Sequence, residues 1–362
     1  MKKARIAVFA TAAFGISSYA SAGSDEKYEA VDDFSRAFPE VRNIDIEDFT
    51  GRIEVVVSDD DAAVIMSKGK RSYPVAFVAE GALLRISGEE RPKNFRLYKE
   101  INWRKNHSNA LDTYLTDYPV LKINLPKNAK LRFDEVITKA IGSDGLAALE
   151  IDRGYVEGTF GDVGSADIEI NASGDIALGN VADELVVGVN GSGDFTALDV
   201  GAADLSISGS GSIDVGEVRE AAVFRISGSG DLNAGEIQER LIAEISGSGD
   251  MDVRDVGGGA RISIAGSGDM TLKSVNGKTD VNIAGNGDVE IGGGLAKDLS
   301  VSIAGSGSVN HGGASTNLDV SIIGSGSVEV EKNTGSLTTS GRNGVVIVNG
   351  ETIKLGKKRA NR

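Results

Sequence analysis

A glycine followed by Asp or Ser and then an apolar residue recurs at Gly174, Gly193, Gly211, Gly230, Gly249, Gly268, Gly287, Gly307 and Gly326. The intervals are 19, 18, 19, 19, 19, 19, 20 and 19 residues. Such self-similarity marks a repeat architecture, in which one supersecondary unit is copied along an axis. Four residues before each glycine stand Ile170, Val189, Ile207, Ile226, Ile245, Ile264, Ile283, Ile303 and Ile322, and six before it a second apolar column runs from Ile168 to Val320. Two residues after it comes a third, Ile176 to Val328, and seven after it a fourth, Val181, Val200, Val218, Ile237, Val256 and Val275. Spacing by two within each run is strand periodicity.

A 19-residue unit of two or three short strands cannot bury its apolar face alone, but it can when stacked on copies of itself. The fold class expected is therefore all-β: a right-handed parallel β-helix, each strand pairing with its equivalents above and below. At about 4.8 Å per strand, nine coils make a rod of about 43 Å. A left-handed hexapeptide helix calls for coils of 18 in three sets of six, which the columns do not match. The Gly-Ser-Gly-Asp segments are the corners, where glycine permits positive φ and leaves no Cβ to meet the next coil.

The rest of the chain divides around this array. Residues 1–22 read as a secretory signal peptide: Lys2, Lys3 and Arg5, an apolar core from Ile6 to Ile16, and Ala20-Ser21-Ala22 as a cleavage site. Its apolar core of about 11 residues is short for a spanning helix, which needs about 20, and no later segment is long and apolar enough to be one. Residues 23–149 carry short strand signals without the glycine corner and are expected to form an irregular β amino-terminal cap. The β-helix itself is placed at 150–340. Val345 to Val348 and Thr352 to Leu355 flank Asn349-Gly350, a hairpin signal that predicts a carboxyl-terminal cap over 341–356. Residues 357–362 form a basic tail.

Gly51-Arg52-Ile53-Glu54-Val55, the run Val120-Leu121-Lys122-Ile123-Asn124-Leu125-Pro126, the leader and the repeated Ile-Ser/Ala-Gly-Ser-Gly-Asp corners resemble the bacterial "putative auto-transporter adhesin, head GIN domain" family and related putative-adhesin domains. The resemblance spans most of the chain. It implies a right-handed β-helix in an exported envelope protein. No run of amphipathic barrel strands follows the repeats, unlike a true autotransporter.

Composition narrows the chemistry. There are no cysteines, so disulfides, thiolate metal sites and cysteine nucleophiles are excluded. With only His107 and His311, neither a histidine-based triad nor a multi-histidine metal site is expected. His107 is expected to be solvated and His311 to sit at a distorted corner. The net charge, 38 − 53 = −15, becomes −18 once the leader's three basic residues are removed, which argues against a nucleic-acid partner.

Two sets of residues invite a functional reading. The corner carboxylates, above all Asp231, Asp250, Asp269 and Asp288, would repel at rung spacing unless a cation such as Ca2+ lay between them. The alternative, which Ser212, Ser308 and Ser327 in the same column favour, is that each accepts a hydrogen bond from a turn backbone N–H. The stretch from Arg91 to Tyr118 is basic and aromatic, and Arg96, Tyr98, Trp103, Arg104 and Tyr114 are candidate contacts for an anionic glycan, a lipid headgroup or an envelope protein. Equally, its aromatics would simply pack over the open end of the rod. No catalytic constellation or cofactor motif is visible. The expected function is that of an exported, non-enzymatic β-helical module, in the periplasm or at the cell surface, acting in adhesion or envelope interaction with a glycan or an envelope protein. A polysaccharide-active β-helix enzyme and a periplasmic sensor or scaffold are the alternatives, the enzyme requiring paired carboxylates, or a carboxylate with Lys and Arg, in one cleft.

Overall fold

The computed structural model describes residues 26–71, 73–89 and 110–356. It is a parallel β-solenoid of about 11 turns with 19-residue spacing. Ile226, Ile245, Ile264 and Ile283 lie in direct register on successive strands, continued by Ile303 and Ile322. All six are buried.

Each coil has three sides. In a representative coil the long strand is Ala222–Gly228, the short strand is Asp231–Ala234, and the third side is a single residue, Ile237, bridged to Val218 and Val256. Alternation sends Ala222, Phe224 and Ile226 inward and leaves Arg225 outside. The result is one continuous core from Ala30 to Val348. Departures from 19 residues are absorbed on the third side. The 18-residue coil shifts register between Val181 and Glu184, and the 20-residue coil between Gly277 and Thr279, so the isoleucine column stays in line.

The two glycines of each corner have different tasks. Gly228, Gly247, Gly266 and Gly285 adopt φ between 136° and 144°. Gly230, Gly249, Gly268 and Gly287 do not, but a Cβ on any of them would run into the carbonyl oxygen of the equivalent glycine one coil earlier. The first glycine answers a backbone conformation and the second a stacking distance.

Parallel stacking reaches back before the first glycine corner. Asn43–Glu47 lies between Leu83–Ser87 and Lys130–Asp134, and Thr50–Ser58 between Val120–Pro126 and Val136–Gly142, all parallel. These rungs do not follow chain order. Antiparallel strands finish this end: Glu26–Ala30 on Val75–Glu80, Val75–Glu80 on Leu83–Ser87, and Phe34–Phe38 on Ala62–Ser67. At the other end Val345–Val348 and Glu351–Lys354 form the expected hairpin, with Asn349 and Gly350 at φ 53° and 77°. The leader and the basic tail lie outside the described residues.

His311 departs from expectation. It stands in an inward column between Ile291 and Val330 and is fully buried, its Nε2 3.1 Å from the Ala314 carbonyl oxygen. The register shift falls just after it, between His311 and Ala314, so the distortion is adjacent while the side chain is in the core. Thr279 is also fully buried, between Ala260 and Leu299, and its hydroxyl has no hydrogen-bond partner. Thr279→Val keeps the shape and removes an unpaired polar group, so it should stabilise the protein by about 1 kcal/mol. An unchanged or lower urea midpoint would show that the hydroxyl finds a partner.

Candidate functional site

The short-strand face carries the polar chemistry. Its corner column begins with Glu157, Asp175 and Asp194 and runs on through Ser212, Asp231, Asp250, Asp269 and Asp288. The carboxylates form an inter-coil relay. Asp194 N–H donates to Asp175 Oδ1 at 3.1 Å, Asp269 N–H to Asp250 Oδ1 at 2.9 Å, and Asp288 N–H to Asp269 Oδ1 at 2.8 Å. Ser308 donates both its N–H and its hydroxyl to Asp288 Oδ1. Each Asp thus satisfies the corner amide of the next coil. Among the described residues, no three of His, Asp and Glu converge as metal ligands would. Asp269→Asn retains an acceptor and should leave the melting temperature nearly unchanged, whereas Asp269→Ala should cost about 1 kcal/mol. Excess Ca2+ or EDTA should shift neither; a calcium-dependent rise would overturn the relay reading.

A second relay lies at another corner. Asp162 N–H donates to Asp144 Oδ1, Asn180 N–H to Asp162 Oδ1, Asp199 N–H to Asn180 Oδ1 and Glu217 N–H to Asp199 Oδ1. Its sequence signal is an Asx at spacings of 18, 18 and 19, which the stronger glycine period hides.

The helix Ala110–Leu115 sits against the early rungs of the same face. Leu111 and Leu115 bury against Ile137 and Tyr155, with Tyr114 and Tyr118 packed on that cluster. Tyr114 and Tyr118 hydroxyls are 3.0 Å apart and Arg71 lies over the Tyr118 ring. Tyr114 therefore covers the flank of the rod rather than its open end. Arg96, Tyr98, Trp103 and Arg104, with His107, lie outside the described residues.

Asp112 on this helix joins two basic residues. Lys139 Nζ is 2.5 Å from Asp112 Oδ2, and Arg52 Nη2 is 3.0 Å from the Asp112 carbonyl and 3.4 Å from Oδ1. The hydrogen bond from Lys139 is the main reason the Asp112 carboxyl titrates below the ordinary range. Lys139 pairs in register with Glu157 on the next rung. Beside them opens a groove of about 610 Å3 whose lining includes Lys139, Ile141, Glu157, Thr159, Asp175 and Thr196. Glu157 accepts a 3.3 Å hydrogen bond from Tyr155 and is half-buried. Burial pushes its carboxyl above the ordinary range, Asp175 adds to this, and Lys139 opposes it. Burial likewise raises the Tyr155 phenol. A raised carboxyl stabilises the fold at low pH, and that contribution is lost as pH rises through the folded-state value. Glu157→Gln should therefore raise the melting temperature more at pH 7 than at pH 4; an equal shift at both would show that burial of charge is not the cause.

The fold and this site define the class: an all-β solenoid with a decorated flank. The "putative auto-transporter adhesin, head GIN domain" model matches residues 48–236, 166–273 and 222–334 in overlapping copies, and the chain belongs to this family. Among solved structures it is similar to a putative adhesin from Bacteroides fragilis, at 16% identity over 69% of this chain and 98% of that one, TM-score 0.37. It is also similar to two proteins from Parabacteroides distasonis. One is a putative adhesin, at 16% identity over 89% and 96% of the two chains, TM-score 0.25. The other is a putative lipid-binding protein, at 18% identity over 87% and 97%, TM-score 0.27. No curated protein matches the chain.

Proposed function

We propose that this protein is an exported, non-enzymatic envelope module that works by contact, as an adhesin or a surface or periplasmic interaction domain. Family membership supports the reading, and the observation that carries it is the shape. The long-strand face is nearly flat, and its outward positions over the later rungs hold short side chains: Ser263, Asn282, Ser302 and Ser321 in one column, Ala265, Ala284 and Ala304 in the next. Such a surface contacts a partner broadly without enclosing a substrate. The leader read in residues 1–22 supports export. Cell fractionation together with attachment assays on a deletion strain tests this: the protein should be found outside the cytoplasm and its loss should reduce attachment. A cytoplasmic protein, or unaltered attachment, would defeat the reading.

The polysaccharide-active alternative is favoured by one feature, the placement of Glu157 and Asp175 on adjacent rungs beside Lys139. Release of reducing or unsaturated ends by the purified protein would put it in place of the contact reading.

A further inference from the structure

The floor column of the short-strand face changes chemistry abruptly. Outside the groove it is charged or amide-bearing: Glu54, ion-paired to Lys122 at 2.9 Å, precedes it, and Asp214, Asn233 and Asp252 follow. For four rungs between them it holds Ile141, Thr159, Ala177 and Thr196. Ile141 is 59% exposed, a large apolar side chain on the outside of the rod. Glu157, Asp175 and Asp194 stand along one rim of this window, and Lys139, fixed by Asp112 of the overlying helix, closes its end. At about 4.8 Å per rung the four rungs span about 14 Å.

We propose that this window is a binding groove for a neutral oligosaccharide chain lying along the rod axis. The rung spacing is comparable with the length of one pyranose ring, so successive sugars meet successive rungs. Carboxylates at the rim accept hydrogen bonds from vicinal hydroxyls, bonds stronger than neutral ones. The threonine hydroxyls both donate and accept, and Ile141 offers an apolar surface to the C–H face of a ring. Three carboxylates against one lysine disfavour uronate or sulfated chains. An apolar peptide segment would leave the rim carboxylates desolvated and unpaired. Glu157, held toward its protonated form by burial, can also donate to a sugar oxygen. The inference deepens the contact reading above and rests on it for biological role, not for binding.

Calorimetric titration of the full chain with cellohexaose, mannohexaose and maltohexaose, against hexagalacturonate, tests it. At least one neutral hexaose should bind in the millimolar range or tighter, with hexagalacturonate at least about tenfold weaker. Thr196→Trp, which fills the floor, and the double change Glu157→Gln with Asp175→Asn should each weaken binding at least about tenfold. Asp252→Asn, outside the window, should not, and melting curves separate loss of fold from loss of binding. Failure of all three neutral chains to bind, preference for the galacturonate, or binding indifferent to the groove variants in folded protein would overturn the proposal. Glycan binding with unaltered attachment of the deletion strain would defeat the contact role and leave the groove standing; the reverse pair of results would do the opposite.

Discussion

Replacing Gly249 by valine is expected to lower stability by about 3 kcal/mol or more. A Cβ there would collide with the Gly230 carbonyl oxygen and lie 2.8 Å from Cγ2 of Ile226. The first obstacle is backbone held in a parallel ladder on both sides, so it cannot swing away as a side chain end would. Gly247→Val meets the same kind of obstacle, the Gly228 carbonyl, and adds an unfavourable φ of 136°, which by itself costs about 1–3 kcal/mol. Gly293→Ala is the control. Its added Cβ has no neighbour nearer than the Lys273 carbonyl oxygen at 3.9 Å, and its effect should stay within about 0.5 kcal/mol. Because each coil contacts only its neighbours, damage at Gly249 should also split the unfolding transition, the rungs around it opening before the ends. Denaturant titration followed by circular dichroism checks both points, and a Gly249→Val protein that melts like the parent would sink the account of the corner.

What the sequence reveals follows from this geometry. In a parallel in-register stack, residues one period apart in the chain are neighbours in space, so the columns through Ile226 and Val218 can be read directly from spacing. The early rungs break that equivalence. Asn43–Glu47 lies beside Lys130–Asp134, and Thr50–Ser58 is inserted between Val120–Pro126 and Val136–Gly142, so spatial neighbours are separated by more than 60 residues and no period records them. The groove falls there. Lys139 and Glu157 gain their meaning from a register that only the folded chain supplies, and Asp112 reaches them from a helix set between strands. The corner Asp column was legible as a column, yet its bonds run between coils rather than within one turn, which spacing alone does not distinguish. His311 was misplaced for a related reason: the longer interval is absorbed after it, on the third side, and leaves its own column in register.

Core packing offers the sharpest quantitative test of the stack. Phe224 is fully buried and pairs in register with Leu205 on one side and Ala243 on the other, followed by Ile262. The benzyl group is large where the next rung is small, so the column alternates in size to keep the interior filled. Phe224→Ala should cost about 3–5 kcal/mol, since the backbone ladders prevent collapse around the cavity. Ala243→Leu in the parent adds volume to a filled layer and should cost about 1–3 kcal/mol. Introduced into Phe224→Ala, the same leucine enters the vacated space and should be stabilising. A substitution that changes sign with its neighbour is the signature of direct contact, and the coupling from the double-mutant cycle should exceed about 2 kcal/mol. If the two effects merely add, Phe224 and Ala243 do not share a layer, and the in-register stacking of this side of the coil is wrong.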